Sequence, residues 1–500
     1  MRDVSAARRS RVWRRAILWA TLALWTGTAY WQTNKPLPAG THVDSPWAPV
    51  APRDVAFIAD ITSADGYGRQ TSSQAIFDEV LAVIRSAHKF IVLDYFLFNS
   101  TLGNGSGTTP AFRPLSAEIR DALIERRRTD PNLQVLFITD PINEVYGGVA
   151  SHDLRLLRAA GVQVVVTDLD PLRDSNFIYS SLWRLGIKWW TASPRSGESG
   201  AGVFPNPLDE TSGPISFGAW ARLLNFKANH RKVVIADDGR DGLVTIVGSA
   251  NPHDASSAHS NVALKIAGPS TLPLLQSELE VARFSGWTGK IAIPGTAAPA
   301  GDGRLKVVTE GGILTELLER IDSAQRGEYI DIAMFYVADR AVIESLLAAS
   351  RRGVAIRLIM DPNKDAFGRA KNGIPNQPVA SELVAASDGA IHVRWYRTHG
   401  EQFHTKLAMV YGPDRFWVTA GSANLTRRNL ADYNLEANLV VELPRSATVA
   451  QQALDYFESL WSNRASLGIE YTADFGFYAD PSQLHFWLYR VMEGTGLSTF

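Results

Sequence analysis

Two short runs in this 500-residue chain carry side chains able to do chemistry together. The first is Asn229-His230-Arg231-Lys232-Val233-Val234-Ile235-Ala236-Asp237. It is followed, 18 residues after the histidine, by Gly248-Ser249-Ala250-Asn251. The second is His404-Thr405-Lys406-Leu407-Ala408-Met409-Val410-Tyr411, followed 17 residues after its histidine by Gly421-Ser422-Ala423-Asn424. Residues two apart in a strand share a face, so His230 and Lys232 point one way, as do His404 and Lys406. A second strand in each copy, Leu243–Val247 or Phe416–Ala420, returns Ser249 and Asn251, or Ser422 and Asn424, to the first. Each copy then offers an imidazole, an ammonium, a hydroxyl and an amide.

Two such copies facing each other suit phosphoryl transfer. Lysines and amides neutralise and hydrogen-bond phosphate oxygens. One imidazole attacks phosphorus to form a covalent intermediate, and the other protonates the leaving oxygen and then deprotonates water or an alcohol. No carboxylate cluster with hard-metal spacing lies nearby, so this chemistry calls for no metal and no other cofactor. A single His-x-Lys is usually a surface strand and a single Gly-Ser-x-Asn a turn. Their ordered recurrence is what gives them weight.

The surrounding elements repeat as well. Helical periodicity over Ser73–His88 precedes the strand-like run Ile91–Phe98. The same order returns with Ile313, Leu314, Leu317, Leu318 and Ile321 before Tyr329–Tyr336. Helical patterns around Ile119–Arg127 and Ala341–Arg351 precede Leu133–Pro141 and Val354–Pro362, and both strands end in Asp-Pro, at Asp140 and Asp361. Strands alternating with helices at this spacing predict α/β layers around a mainly parallel or mixed sheet.

At these residues the sequence resembles the phospholipase D superfamily, whose signature is His-x-Lys-x-x-x-x-Asp followed by Gly-Ser-x-Asn. Asn229-His230-Arg231-Lys232 is most similar to the cardiolipin synthase and phospholipase D-like enzymes. The resemblance covers roughly residues 54–465. It implies a pseudo-dimeric α/β/α sandwich with one active site between two halves, a phosphodiester substrate and a phosphohistidine intermediate. It implies His230 as nucleophile and His404 as general acid. Lys232, Lys406, Asn251 and Asn424 bind phosphate, with Ser249 and Ser422 beside them, and Asp237 completes the first motif. In the second copy Tyr411 stands where the motif has Asp, with Asp414 three residues on. Glu436 occupies the place where relatives put a carboxylate that orients a histidine. Its first-copy equivalent is read as Ala263, and which histidine Glu436 serves is left open.

The copies differ in length. Asp140 and His230 are 90 residues apart and Asp361 and His404 only 43, so the first copy holds an insertion of about 47 residues, near 170–222. Its Phe177, Tyr179, Trp183, Trp189 and Trp190 read either as a lid or lipid-facing lip or as a packed subdomain. Arg126-Arg127-Arg128 reads as a helix end. His253, His259 and His399 read as pocket-lining or surface-loop residues.

The chain has no cysteine, which excludes disulfides, thiolate metal sites and cysteine nucleophiles. The net charge of -1 conceals an asymmetry: residues 1–15 carry +5, leaving -6 on the rest. Six arginines there precede the uncharged run Ala16–Trp31, a layout that predicts an uncleaved membrane anchor with the body outside. A cleaved, secreted form, with Gly27-Thr28-Ala29 at the cut, is the alternative. The expected organisation is an anchor (1–35), a linker (36–53), a first half (54–295), a second half (300–468) and an aromatic tail (469–500). Both half-sites lie in one chain, so a monomer is expected. The acidic body and the anchor favour a phospholipid substrate, for hydrolysis or transphosphatidylation, over a phospholipase D-like endonuclease acting on nucleic acid.

Overall fold

The computed structural model describes residues 2–101, 112–191, 202–208, 213–239, 242–293, 298–366, 369–464, 468–498 and 500. Two mixed sheets organise them. The first runs Gln70–Ser73, Val55–Ala64, Asn261–Ala267, Leu243–Gly248, Lys232–Asp237, Phe90–Tyr95, Gln134–Thr139, Gln163–Val166. The second runs Ala48–Val50, Gly303–Thr309, Ala437–Pro444, Arg415–Gly421, Lys406–Tyr411, Tyr329–Met334, Ala355–Met360, Ile391–Tyr396, Thr472–Asp474. From the second strand to the eighth, the two orders are the same repeat. Within each, the last three of these strands pair in parallel and the others antiparallel. The expected α/β fold and its internal repeat are present.

The central strands are buried on both faces, which explains their unbroken apolar runs. On one face Phe90, Val92, Val233 and Ile235 of the first sheet join Leu407, Met409, Leu439 and Val441 of the second in one core. Helices Leu272–Phe284 and Thr448–Ser462 complete that shared layer. On the opposite faces Ile91, Leu93 and Val234 pack under Ala75–Ser86 and Leu115–Thr129, and Ile330, Ile332 and Ala408 pack under Gly311–Ser323 and Arg340–Arg351. The helices expected near Ser73, Ile119, Ile313 and Ala341 therefore all form, with apolar stripes facing their sheets.

The N-terminus corrects one expectation. Residues Arg2–Asn34 form a single helix, but no helix among the described residues is long and apolar enough to cross a membrane. The uncharged run has only 16 residues, against roughly 20 needed to span a bilayer. Thr21, Thr26, Gly27 and Thr28 dilute it further. The helix instead lies on the insertion, where the Trp25 indole donates to Ile178 O (3.3 Å). The segment read as a tether is also engaged. Ala48–Val50 pairs with Gly303–Thr309, and Thr41 O accepts from Ser277, Thr309 and Arg231. At the other end, Thr472–Asp474 adds to Ile391–Tyr396 and the Trp395 indole donates to Phe475 O (2.7 Å).

Arg231, the middle residue of the first His-x-Lys, is fully buried. It bonds Glu278 (3.2 Å) and Glu310 (2.7 Å), the latter from the second half. Removing its charge leaves two buried carboxylates facing each other. Arg231→Leu is expected to lower stability by about 3–5 kcal/mol in urea unfolding; a loss under about 1 kcal/mol contradicts this role.

Candidate active site

The recurring Asp-Pro pairs set the two histidines. Asp140 closes strand Gln134–Thr139 and accepts the backbone N–H of Asn229 (2.7 Å); Asp361 closes Ala355–Met360 and accepts that of Phe403 (2.8 Å). Each carboxylate thus grips the residue just before a histidine. Both are fully buried, and burial pushes both up to about 7. Each histidine then reaches into the other half. His230 N–H donates to Leu435 O (2.9 Å), and Ser260 N–H donates to Gln402 O (3.1 Å). The segments before the two histidines are stitched to the opposite half by matching bridges, Asn229 to Leu435 and Phe403 to Ser260.

The side chains follow the same rule. His230 Nδ1 lies 2.9 and 3.0 Å from the two oxygens of Glu436, a fully buried carboxylate of the second half. Glu436 also accepts from Ser422 Oγ and Asn429 Nδ2. His404 Nδ1 lies 3.1 Å from Oδ1 of Asn261, a first-half amide. Asn261 Oδ1 accepts from Ser249 Oγ (2.9 Å) and its Nδ2 donates to His259 O (3.1 Å), which fixes the amide's orientation. Val262 N donates to Ser249 Oγ as Ala437 N donates to Ser422 Oγ. The residue equivalent to Glu436 is therefore Asn261, not Ala263, which lies two positions on in the core against Gly248. A Cβ on Gly248 would sit 2.7 Å from Ala263 Cβ, and one on Gly421 would sit 2.2 Å from Ala437 O; close strand approach is what both glycines permit.

The lysines sit at the first position of their strands. Lys406 Nζ donates to His404 O (3.1 Å) and Lys232 Nζ to His230 O. Each also lies over a phenylalanine, Lys232 5.2 Å from the Phe96 ring and Lys406 5.3 Å from Phe335. The same rings flank the histidines, at 4.9 Å for Phe96–His230 and 5.0 Å for Phe335–His404. Asn251 Oδ1 accepts from Leu97 N (3.2 Å), while Asn424 Oδ1 is buried with no partner among the described residues. The hydroxyls expected on phosphate, Ser249 and Ser422, are wholly buried and occupied by Asn261 and Glu436. They position the histidines' supports.

Asp237 stands at the far end of its strand from His230. It accepts backbone N–H groups from His88, Lys89, Phe90 and Gly239, which hold its carboxyl below the usual range despite burial. Tyr411 stands at the matching position, stacks on Tyr329 and donates to Asp331 (2.7 Å), itself paired with Arg357. Both residues tie the far end of a central strand, so the missing second Asp leaves His404 and Lys406 in place. His253 and His259 are buried, not on surface loops. The His259 ring is 6.0 Å from that of His404, and its Nδ1 accepts from Gln402 N (3.2 Å). His399 is partly exposed, beside Glu401. Arg126 and Arg127 bond carbonyls beyond their helix end, at Ala87, Pro131 and Leu133. Phe96, Phe335 and Asn261 were not singled out in the sequence. The phenylalanines hold equivalent places in the repeat, each just past the strand that precedes an Asp-Pro strand.

The pocket is crowded with basic nitrogens. Burial, aided by the lysines, pushes His230 down to about 4 against the pull of Glu436. Burial pushes Lys232 down to about 7. His404 and Lys406 are held well below their usual ranges by burial and by neighbouring cationic groups. An anion between the lysines reverses that penalty. Among the described residues no three His, Cys, Asp or Glu side chains converge as a metal site.

Residues 317–461 match the family model described as cardiolipin synthase, PLD-like domain. Over those residues, which lie in the second half of the repeat, the chain is similar to the phospholipase D-like family. It shares its fold with the crystal structure of phosphatidylserine synthase from Haemophilus influenzae Rd KW20, at 11% identity and a TM-score of 0.52, over 93% of this chain and 96% of that one. Looser overlaps are with polyphosphate kinase from Porphyromonas gingivalis (13% identity, TM-score 0.41, 81% of this chain and 50% of that one) and with Nuc, a phospholipase D family member from Salmonella typhimurium (21% identity, TM-score 0.26, 35% and 98%). No curated protein matches the chain in sequence.

The depressed lysines and His404 make a signed prediction. Tungstate or phosphate binding at pH 7 should draw protons onto the pocket, so calorimetric enthalpies in buffers of different ionisation heat should report net proton uptake. Proton release, or none, contradicts the electrostatics described.

Proposed function

We propose that the protein is a phosphodiesterase or phosphatidyltransferase acting on phospholipids through a phosphohistidine on His230. The observation that carries this reading is the pair of unequal histidine supports. An Nδ1–H donated to Glu436 leaves the Nε2 lone pair of His230 for phosphorus, and the carboxylate offsets the positive charge that forms on the ring. Lys232 and Lys406, with Asn251 and Asn424, take the non-bridging oxygens. His404 donates its Nδ1–H to a neutral amide. Without a carboxylate it is the more acidic imidazolium, suited to protonating the leaving alkoxide and then relaying the proton of water or alcohol. The first step forms the P–N bond as the P–O ester bond breaks and His404 gives up its proton. The second step reverses those roles.

A lipid surface is the setting this reading favours. Trp189 and Trp190 of the insertion are 80% and 89% exposed. Trp13, Ile17 and Trp19 are exposed on the N-terminal helix near Arg11, Arg14 and Arg15, and Leu484 and Trp487 on the final helix Gln483–Thr495. The N-terminal helix touches Ile178, and Gly496 abuts Ser175, so both helices meet the insertion. Aromatics beside arginines fit an anionic interface. Trp189→Ala with Trp190→Ala is expected to reduce flotation with phosphatidylglycerol vesicles; unchanged flotation contradicts that placement. The alternative substrate is a nucleic-acid phosphodiester.

Purified enzyme offered labelled phosphatidylcholine, phosphatidylglycerol and single-stranded DNA with EDTA present separates the readings. Lipid turnover is expected, falling at least roughly 10³-fold in His230→Ala and 10²-fold in His404→Ala. Turnover of DNA alone overturns the choice. Asn261→Asp places a carboxylate at His404, which faces Lys406, His259, Lys232 and His230. It should move the alkaline limb of kcat/KM up by about one pH unit; an unmoved profile contradicts the assigned role of His404.

A further inference from the structure

A cavity of about 270 Å3 lies within the first half, apart from the histidine pair. It sits beyond the ends of strands Gln134–Thr139 and Gln163–Val166. Tyr146 and Thr167 line it together with Trp183, Lys188 and Arg222 of the insertion and Asn225 just after it. Its charged groups are already engaged. Lys188 holds Asp170 (2.6 Å), Lys227 holds Asp174 (2.9 Å), and Arg222 donates to Thr191 O (3.2 Å) and Tyr146 O (3.5 Å).

Two lining groups have no partner among the described residues. They are the indole N–H of Trp183 and the side-chain oxygen of Asn225, in residues 4% and 6% exposed. Asn225 Nδ2 donates to Arg222 O (3.1 Å), so the open atom is the acceptor Oδ1. A buried donor and a buried acceptor, each unsatisfied, carry a desolvation penalty that a fitting ligand removes. A phosphodiester anion has acceptors for the indole but no proton to give Asn225. An ammonium has donors for Asn225 but nothing to accept from the indole. A hydroxyl does both. The volume equals roughly nine waters at ~30 Å3 each, the size of a small polyol. Val145 and Tyr146 hold left-handed backbone (φ 46° and 53°) at this wall, conformations that non-glycine residues adopt only under constraint.

We propose that this cavity is a binding site for a neutral, hydroxyl-rich small molecule, held between Trp183 Nε1 and Asn225 Oδ1. The wall separating it from His230 is thin. Thr167 Oγ1 accepts from Asn229 Nδ2 (3.0 Å), and Asn229 immediately precedes His230. Opening of that contact would bring the polyol to the phosphohistidine as the accepting alcohol: its oxygen bonds phosphorus, the P–N bond to His230 breaks, and its proton passes to His404. The binding site rests on the cavity alone; that role rests on the phosphodiesterase reading.

Titration of the full-length protein by saturation-transfer NMR and calorimetry, with glycerol, myo-inositol, choline and inorganic phosphate, tests it. A polyol is expected to bind, and Trp183→Phe and Asn225→Leu should each weaken it about tenfold, the size of one lost hydrogen bond. Trp183→Phe keeps the packing, and thermal melts verify that both variants fold. Absence of polyol binding to the unaltered protein leaves solvent as the only occupant and overturns the proposal, as does equal binding by folded variants or phosphate binding that the substitutions abolish. Polyol-ester products from phospholipid report the acceptor role separately. Binding without turnover retains the cavity and defeats the catalytic reading; turnover without binding does the reverse.

Discussion

Neither histidine is complete within its own half. His230 is held by Glu436 and His404 by Asn261, each across the junction, and the backbone just before each histidine is bridged to the residue just before that histidine's own support. Much else serves that exchange. Asp140 and Asp361 hold the approaching chain, Ser249 and Ser422 hold the supports, and the glycines before them let the strands close. The shared core and the buried Arg231 with Glu278 and Glu310 keep the halves in register. A displacement of one half against the other would break both histidine contacts at once, which couples the site's geometry to the stability of the whole chain.

The exchange is symmetric in backbone and unequal in charge. One imidazole meets a carboxylate and the other an amide. In a low-dielectric pocket that difference separates the two rings in basicity more than any feature of the histidines themselves. Both lysines are disfavoured as cations by burial, and an anion between them would offset that penalty.

The repeat was legible because its apolar periods and its Asp-Pro and His-x-Lys landmarks are local. Helix positions and the order of strands follow from them. Contacts that cross the junction were not. Ala263 was read as the counterpart of Glu436 by counting from the neighbouring asparagines, whereas side-chain bonding from Ser249 and Ser422 puts Asn261 there. Spacing also could not show that the serine hydroxyls are used up internally, or that Asp237 lies a full strand away from His230. The N-terminal run had the charge pattern of an anchor but too little apolar length. In the insertion Trp183 is buried, while Trp189 and Trp190 are exposed, a difference that aromatic composition alone does not reveal.

The central claim is that the carboxylate-backed imidazole carries the phosphoryl group. Acid-free quenching of the enzyme during turnover of a phospholipid, followed by proteolysis and mass spectrometry, locates the adduct. The account predicts a phosphorus adduct on the peptide containing His230, enriched in the His404→Ala variant because the second step loses its base. An adduct on His404, or turnover with no adduct on either histidine, contradicts it.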